Sequence, residues 1–156
     1  MKLKNYSSTA PVENSIFRIE SKLAAAGAIG ITKMYNDQKE CCALYFEWKL
    51  LDRSYPIRLP VKTDSCFQVM WKEYRLQHRA VRPGSEKNIR AQAHRTAWKI
   101  AQEWIEIQIS LTVMGQAEFL EVFLPYVVWN GNQTVFESFK AGAFKQLPEY
   151  SSAQTT

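Results

Sequence analysis

The stretch EKNIRAQAHRTAWKIAQEWIEIQISLTVM, residues 86–114, contains neither glycine nor proline, and its periodicity decides the fold. Placed at about 100° per residue, the positions past Ala97 leave only a narrow polar arc of Lys99, Gln102, Glu103, Glu106 and Ser110. Ala97, Trp98, Ile100, Ala101, Trp104, Ile105, Ile107 and Leu111 fill the rest of the circumference. A helix this apolar has to be covered on several sides, so it is predicted to be the central element. Ser85 is placed to cap its start and Gly115 to end it.

Upstream, Arg82-Pro83-Gly84-Ser85 separates this helix from one capped by Thr63 or Asp64, with Phe67, Met70, Trp71 and Tyr74 on its apolar side. Before that the period is two. Tyr55, Ile57, Leu59 and Val61 alternate with outward-facing Pro56 and Pro60, which marks an edge strand because proline cannot donate to a ladder. Cys42, Leu44, Phe46, Trp48 and Leu50 form the core face of a longer strand, opposite Cys41, Ala43, Tyr45, Glu47 and Lys49. Residues 29–35 supply a first strand, joined to it by a turn at Asn36-Asp37-Gln38. A helix opens after Pro11, buries Val12, Ile16, Ile19, Leu23 and Ala26, and stops at Gly27.

Downstream, a short helix from Ala117 through Phe123 stops near Pro125. Val127-Val128-Trp129 forms a short strand, and a last helix runs from Thr134 to Ala141. The predicted class is therefore α+β: a helix, a three-stranded antiparallel meander, then a mostly helical C-terminal half around one long helix. Residues 1–146 are read as one domain and 147–156 as a flexible tail.

The chain has 156 residues and a net charge of +5, with hydrophobic residues at 46%. That length buries a core without help from disulfides or metals. Three cysteines, two of them the adjacent Cys41 and Cys42, suit neither a disulfide framework nor a zinc site. They are read as reduced thiols. No run of 18 apolar residues and no leader-like start is present, so the expectation is a cytoplasmic protein with no membrane partner.

The positive charge is concentrated. Between Lys72 and Lys99 stand eight basic side chains against two acidic ones, leaving twelve basic and thirteen acidic in the other 128 residues. A field so confined attracts polyanions. The candidate binding residues are Lys72, Arg75, Arg79, Arg82, Lys87, Arg90, His94, Arg95 and Lys99, for nucleic acid or a small nucleotide. Lys87, Arg90 and His94 share the side of the long helix that becomes buried further along, so the cations are expected at the rim of the core. There Trp71, Tyr74 or Trp98 would stack a base. The competing reading is a solvated face, with Arg95 and Lys99 merely pairing with Glu103 and Glu106. Trp48, Trp98 and Trp104 are assigned to the interior and Trp129 to the surface.

Four stretches carry a resemblance. They are Ser15-Ile16 through Leu23-Ala24-Ala25-Ala26-Gly27-Ala28, Ala43-Leu44-Tyr45-Phe46, Tyr55-Pro56-Ile57-Arg58-Leu59-Pro60, and Thr96-Ala97-Trp98-Lys99-Ile100 through Glu121-Val122-Phe123-Leu124-Pro125-Tyr126. Together they resemble a family of small proteins encoded in bacteriophages and prophages, over about Val12 to Ala141. The resemblance implies a phage setting inside a bacterial host cell. It carries no activity and therefore no catalytic or binding residue.

His78 and His94 are isolated from other metal ligands, and no nucleophile elbow, P-loop or dinucleotide motif is present. No catalytic residue, metal or cofactor is expected. The sequence thus points to a non-enzymatic accessory protein binding nucleic acid with low sequence preference. The alternatives are a counter-defence protein that sequesters a nucleotide signal in a pocket of Arg90, His94 and tryptophans, and an interaction module that uses Trp129 and the C-terminal helices, with homo-oligomerisation as one form of it.

Overall fold

A computed structural model describes residues 1–150. The fold is α+β, with the predicted order of elements. Helix α1 (Val12–Ala26) leads into strands β1 (Gly30–Tyr35), β2 (Cys41–Leu50) and β3 (Arg53–Arg58), followed by α2 (Thr63–Gln77) and the long α3 (Ser85–Val113). A shorter C-terminal section adds α4 (Phe119–Phe123), a 3-10 turn at Leu124–Tyr126, a small β4–β5 ribbon (Val128–Asn130, Gln133–Thr134) and α5 (Val135–Ala141). No helix of the described residues is long and apolar enough to cross a membrane.

The meander is antiparallel in the order β1-β2-β3. β3 is therefore an edge, as its outward Pro56 requires, with one isolated bridge from Ile57 to Val127 on its outer side; the strand ends at Arg58, so Leu59, Pro60 and Val61, predicted to continue it, lie beyond it. The core face of β2 differs from simple alternation. Leu44 and Phe46 are buried, yet Cys41 is buried and Cys42 exposed. The register explains it, because Met34 pairs with Ala43 while Tyr35 pairs with Cys41, so Cys42 is the extra residue of a β-bulge. Leu50, the last residue of β2, lies exposed.

α3 is the axis of the molecule. Both α1 and α2 pack along it, and Trp98, Ala101, Ile105 and Ile109 join the sheet residues Leu44, Phe46 and Ile57 and the α1 residues Ile16, Ile19 and Leu23 in one core. Trp98 is fully buried, and its indole N–H donates to the Cys41 carbonyl at 3.3 Å. The polar arc also narrows, since Gln102 is buried and donates to Glu106 at 3.0 Å. A second, smaller cluster of Cys66, Phe67 and Ala93, with Met70, Trp71, Ile89 and Ala97 packed against it, fastens α2 to the first half of α3.

Two predicted caps are not made. α2 begins at Thr63 with Lys62 in the cap position, and α3 begins at Ser85 with Gly84 there in a left-handed conformation, φ 81°. At the other end of α3 the expectation holds: Gly115, with φ 70°, follows the C-cap residue Met114. Of the predicted tail, residues 147–150 form neither helix nor strand, and 151–156 lie outside the described residues.

Candidate nucleic-acid interface

α2 and α3 meet at a turn, residues 78–84, and most of the cationic segment collects there. Lys72 and Arg75 lie on α2, Arg79 and Arg82 on the turn, and Lys87 in the first turn of α3. All five are exposed. Among the described residues, no carboxylate comes within 4.0 Å of any of them. Their side chains therefore keep their full charge with no ion-pair partner among the described residues.

The other four predicted residues are occupied. Arg90 spans Asp64 and Glu86, each at 3.6 Å, and its guanidinium lies 3.9 Å from the centre of the Phe67 ring. Arg95 does not pair with Glu103 or Glu106. Its Nε–H donates to the Ser8 carbonyl at 3.3 Å, and a second N–H donates to the Gln92 side chain. Lys99 donates to Gln102 at 3.3 Å, while Glu103 pairs with Lys4 at 3.0 Å. That pairing holds the Glu103 carboxyl below the usual carboxylate range. Arg95 is drawn in by the N-terminal segment, which lies along α3 and also offers the Asn5 carbonyl to the Thr96 hydroxyl at 3.0 Å.

His94 faces elsewhere. Its side chain is 12% exposed and its Nε2 lies 3.6 Å from Glu40. Together with Arg95, Lys33, Lys39 and Tyr35 it lines a groove of about 910 Å³ between α1, the β1–β2 hairpin and α3. Glu13, Glu20 and Glu40 line the same groove, and Glu20 pairs with Lys33 at 2.8 Å. Neither Arg90 nor any tryptophan reaches it, so the expected pocket of Arg90, His94 and tryptophans is not assembled.

Beside the five free cations runs an aromatic stripe. Phe67, Trp71, Tyr74 and His78 recur at spacings of four, three and four, which places them on one face of a helix. Successive rings lie 5.9, 5.4 and 4.2 Å apart at 18°, 15° and 18°, four near-parallel planes along α2. Phe67 is buried, while Trp71, Tyr74 and His78 are half-buried. Trp98, by contrast, is sealed in the core and has no face to offer a base.

Hydrogen bonds fix the outer part of this stack. The Tyr74 phenol meets the Ser85 hydroxyl at 2.9 Å and accepts the Arg82 backbone N–H at 3.4 Å. These bonds, together with the nearby charges of Arg82 and Arg75, hold the phenol below the usual tyrosine value. The His78 Nδ1–H donates to the Tyr74 carbonyl at 3.0 Å.

The parts played by Phe67, His78 and Ser85 are not evident from hydrophobic pattern alone. The available signal was the recurrence of rings, rather than merely apolar side chains, at 67, 71, 74 and 78. Comparisons with protein-family models, curated proteins and solved structures found no match to this chain.

Proposed function

We propose that this protein is a phage-encoded accessory protein of the bacterial host cytoplasm that binds nucleic acid through the α2–α3 tip, with little sequence preference. The observation that carries the reading is the juxtaposition of five exposed, unpaired cations with a fixed stack of aromatic rings. Lys72, Arg75, Arg79, Arg82 and Lys87 would contact phosphates, which fixes position without reading bases. The resemblance of the Thr96–Ile100 and Glu121–Tyr126 stretches to phage proteins supports the setting.

Replacing Arg75, Arg79 and Arg82 together by Gln tests it. Affinity for a short oligonucleotide, measured by fluorescence anisotropy at low salt, should fall at least about tenfold, because each phosphate contact adds to an electrostatic attraction shared by the whole tip. Replacing Arg95 and Lys99 by Gln should change it less than about threefold. Equal losses in the two variants would contradict the reading.

The second reading, capture of a small nucleotide signal, keeps only His94 of its expected lining in the groove, now beside Arg95, with Arg90 and the tryptophans outside it. A ligand bound there would raise the melting temperature in proportion to the logarithm of its concentration above Kd. A nucleotide panel that produces no thermal shift would remove that reading and leave the first intact.

A further inference from the structure

We infer that the nucleic acid taken by this tip is single-stranded, with one unpaired base stacking on the outer face of His78. This rests on the nucleic-acid reading above and narrows it. The ring stack has two ends that differ. At the Phe67 end it is closed by the Arg90 guanidinium, 3.9 Å from the ring centre and itself paired with Asp64 and Glu86. At the other end, among the described residues, no ring stacks beyond His78.

That terminal imidazole is not a loose side chain. Its Nδ1 is tied to the Tyr74 carbonyl at 3.0 Å, its ring lies 4.2 Å from the Tyr74 ring at 18°, and Tyr74 is itself anchored to Ser85. A platform already held in place loses little conformational freedom when a further plane adds to it. Arg79 follows His78 in the chain and Arg82 binds the same tyrosine through its backbone N–H, so two exposed arginines without a carboxylate partner among the described residues are anchored next to the platform.

This geometry suits one chemistry. A base within a duplex has both faces covered by its neighbours, whereas an unpaired base can lay one face on His78 while its flanking phosphates meet Arg79 and Arg82. Such aromatic stacking is tolerant of base identity.

Three probes of equal length separate the possibilities in an anisotropy titration: a single strand, the same strand with abasic sites throughout, and a blunt duplex. The expected order places the intact strand about tenfold tighter than both the abasic strand and the duplex. His78→Ala should remove that advantage while leaving the abasic strand's affinity unchanged. His78→Phe, which restores a ring without the Nδ1 bond, should recover most of it. Equal binding of intact and abasic strands, or a His78→Ala loss that Phe does not restore, would overturn the inference. If all three probes bind alike with steep salt dependence, the nucleic-acid reading stands and the single-strand inference falls. If none binds at low salt, both fall.

Discussion

Ser85 sits inside the first turn of α3 rather than before it, because Pro83-Gly84 allow the chain to turn one residue earlier and Gly84 takes the left-handed cap position. A serine ahead of a periodic run reads as a cap from sequence, and here the hydroxyl goes instead to Tyr74. Ser85→Ala should therefore lower stability in urea by about 1 kcal/mol through a lost interhelical hydrogen bond, and it should also weaken oligonucleotide binding by freeing Tyr74. Glu137 is a second instructive residue. Its carboxylate accepts the Thr134 backbone N–H in a capping box and pairs with Arg58 of β3, which together hold it below the usual glutamate range. A depressed carboxylate stabilises the fold at pH values above its unfolded-state pKa of about 4.3, and that contribution fades as pH falls through the lower, folded value. Glu137→Gln should accordingly be less stable than the parent at pH 7, with the difference narrowing as the pH of parallel thermal melts is taken below the usual glutamate range.

Elements are more legible than their ends. Every helix and strand of the first 113 residues follows from period and punctuation: Pro11 and Gly27 bound α1, and Pro56 assigns β3 to an edge. What period could not supply was the bulge that turns Cys41 inward and Cys42 outward, since an extra residue leaves no trace in composition. The two-residue strand β5 was missed for a related reason, its pairing with β4 being set by the loop at Asn130-Gly131-Asn132 rather than by any alternation. In α3 the apolar circumference is largely explained by cover from α1, α2 and the sheet, although Ile107 remains exposed. Trp98 lies where those layers meet, fully buried and hydrogen-bonded to β2. Trp98→Ala should cost about 3–5 kcal/mol, measured as a fall in the urea midpoint, and Trp129→Ala, at a residue 59% exposed, should cost under about 0.5 kcal/mol.

Across the whole molecule, the uneven charge of the sequence becomes a local surface rather than a stripe. The nine candidate residues divide by environment. Five stay free at the α2–α3 tip, and Arg90, His94, Arg95 and Lys99 are engaged by Asp64, Glu40, Ser8 and Gln102. Counting charges along the chain found the segment but could not make this division, because Asp64, Glu40 and Ser8 come to it only through folding. The aromatic stack escaped for the opposite reason: Phe67, Trp71 and Tyr74 were visible as an apolar helix face and His78 as an isolated histidine, and their parallel alignment is a matter of side-chain packing.

The central claim is that the α2–α3 tip meets phosphates with five unneutralised cations, and the salt dependence of binding tests it most directly. For a single strand, each contact contributes about −0.7 to the slope of log K against log salt concentration, so five contacts predict about −3.5. Anisotropy titrations of one single-stranded oligonucleotide between about 50 and 200 mM salt should give that slope, reduced to about −1.4 when Arg75, Arg79 and Arg82 are replaced by Gln. A slope near zero, or one that the triple replacement leaves unchanged, would contradict the account.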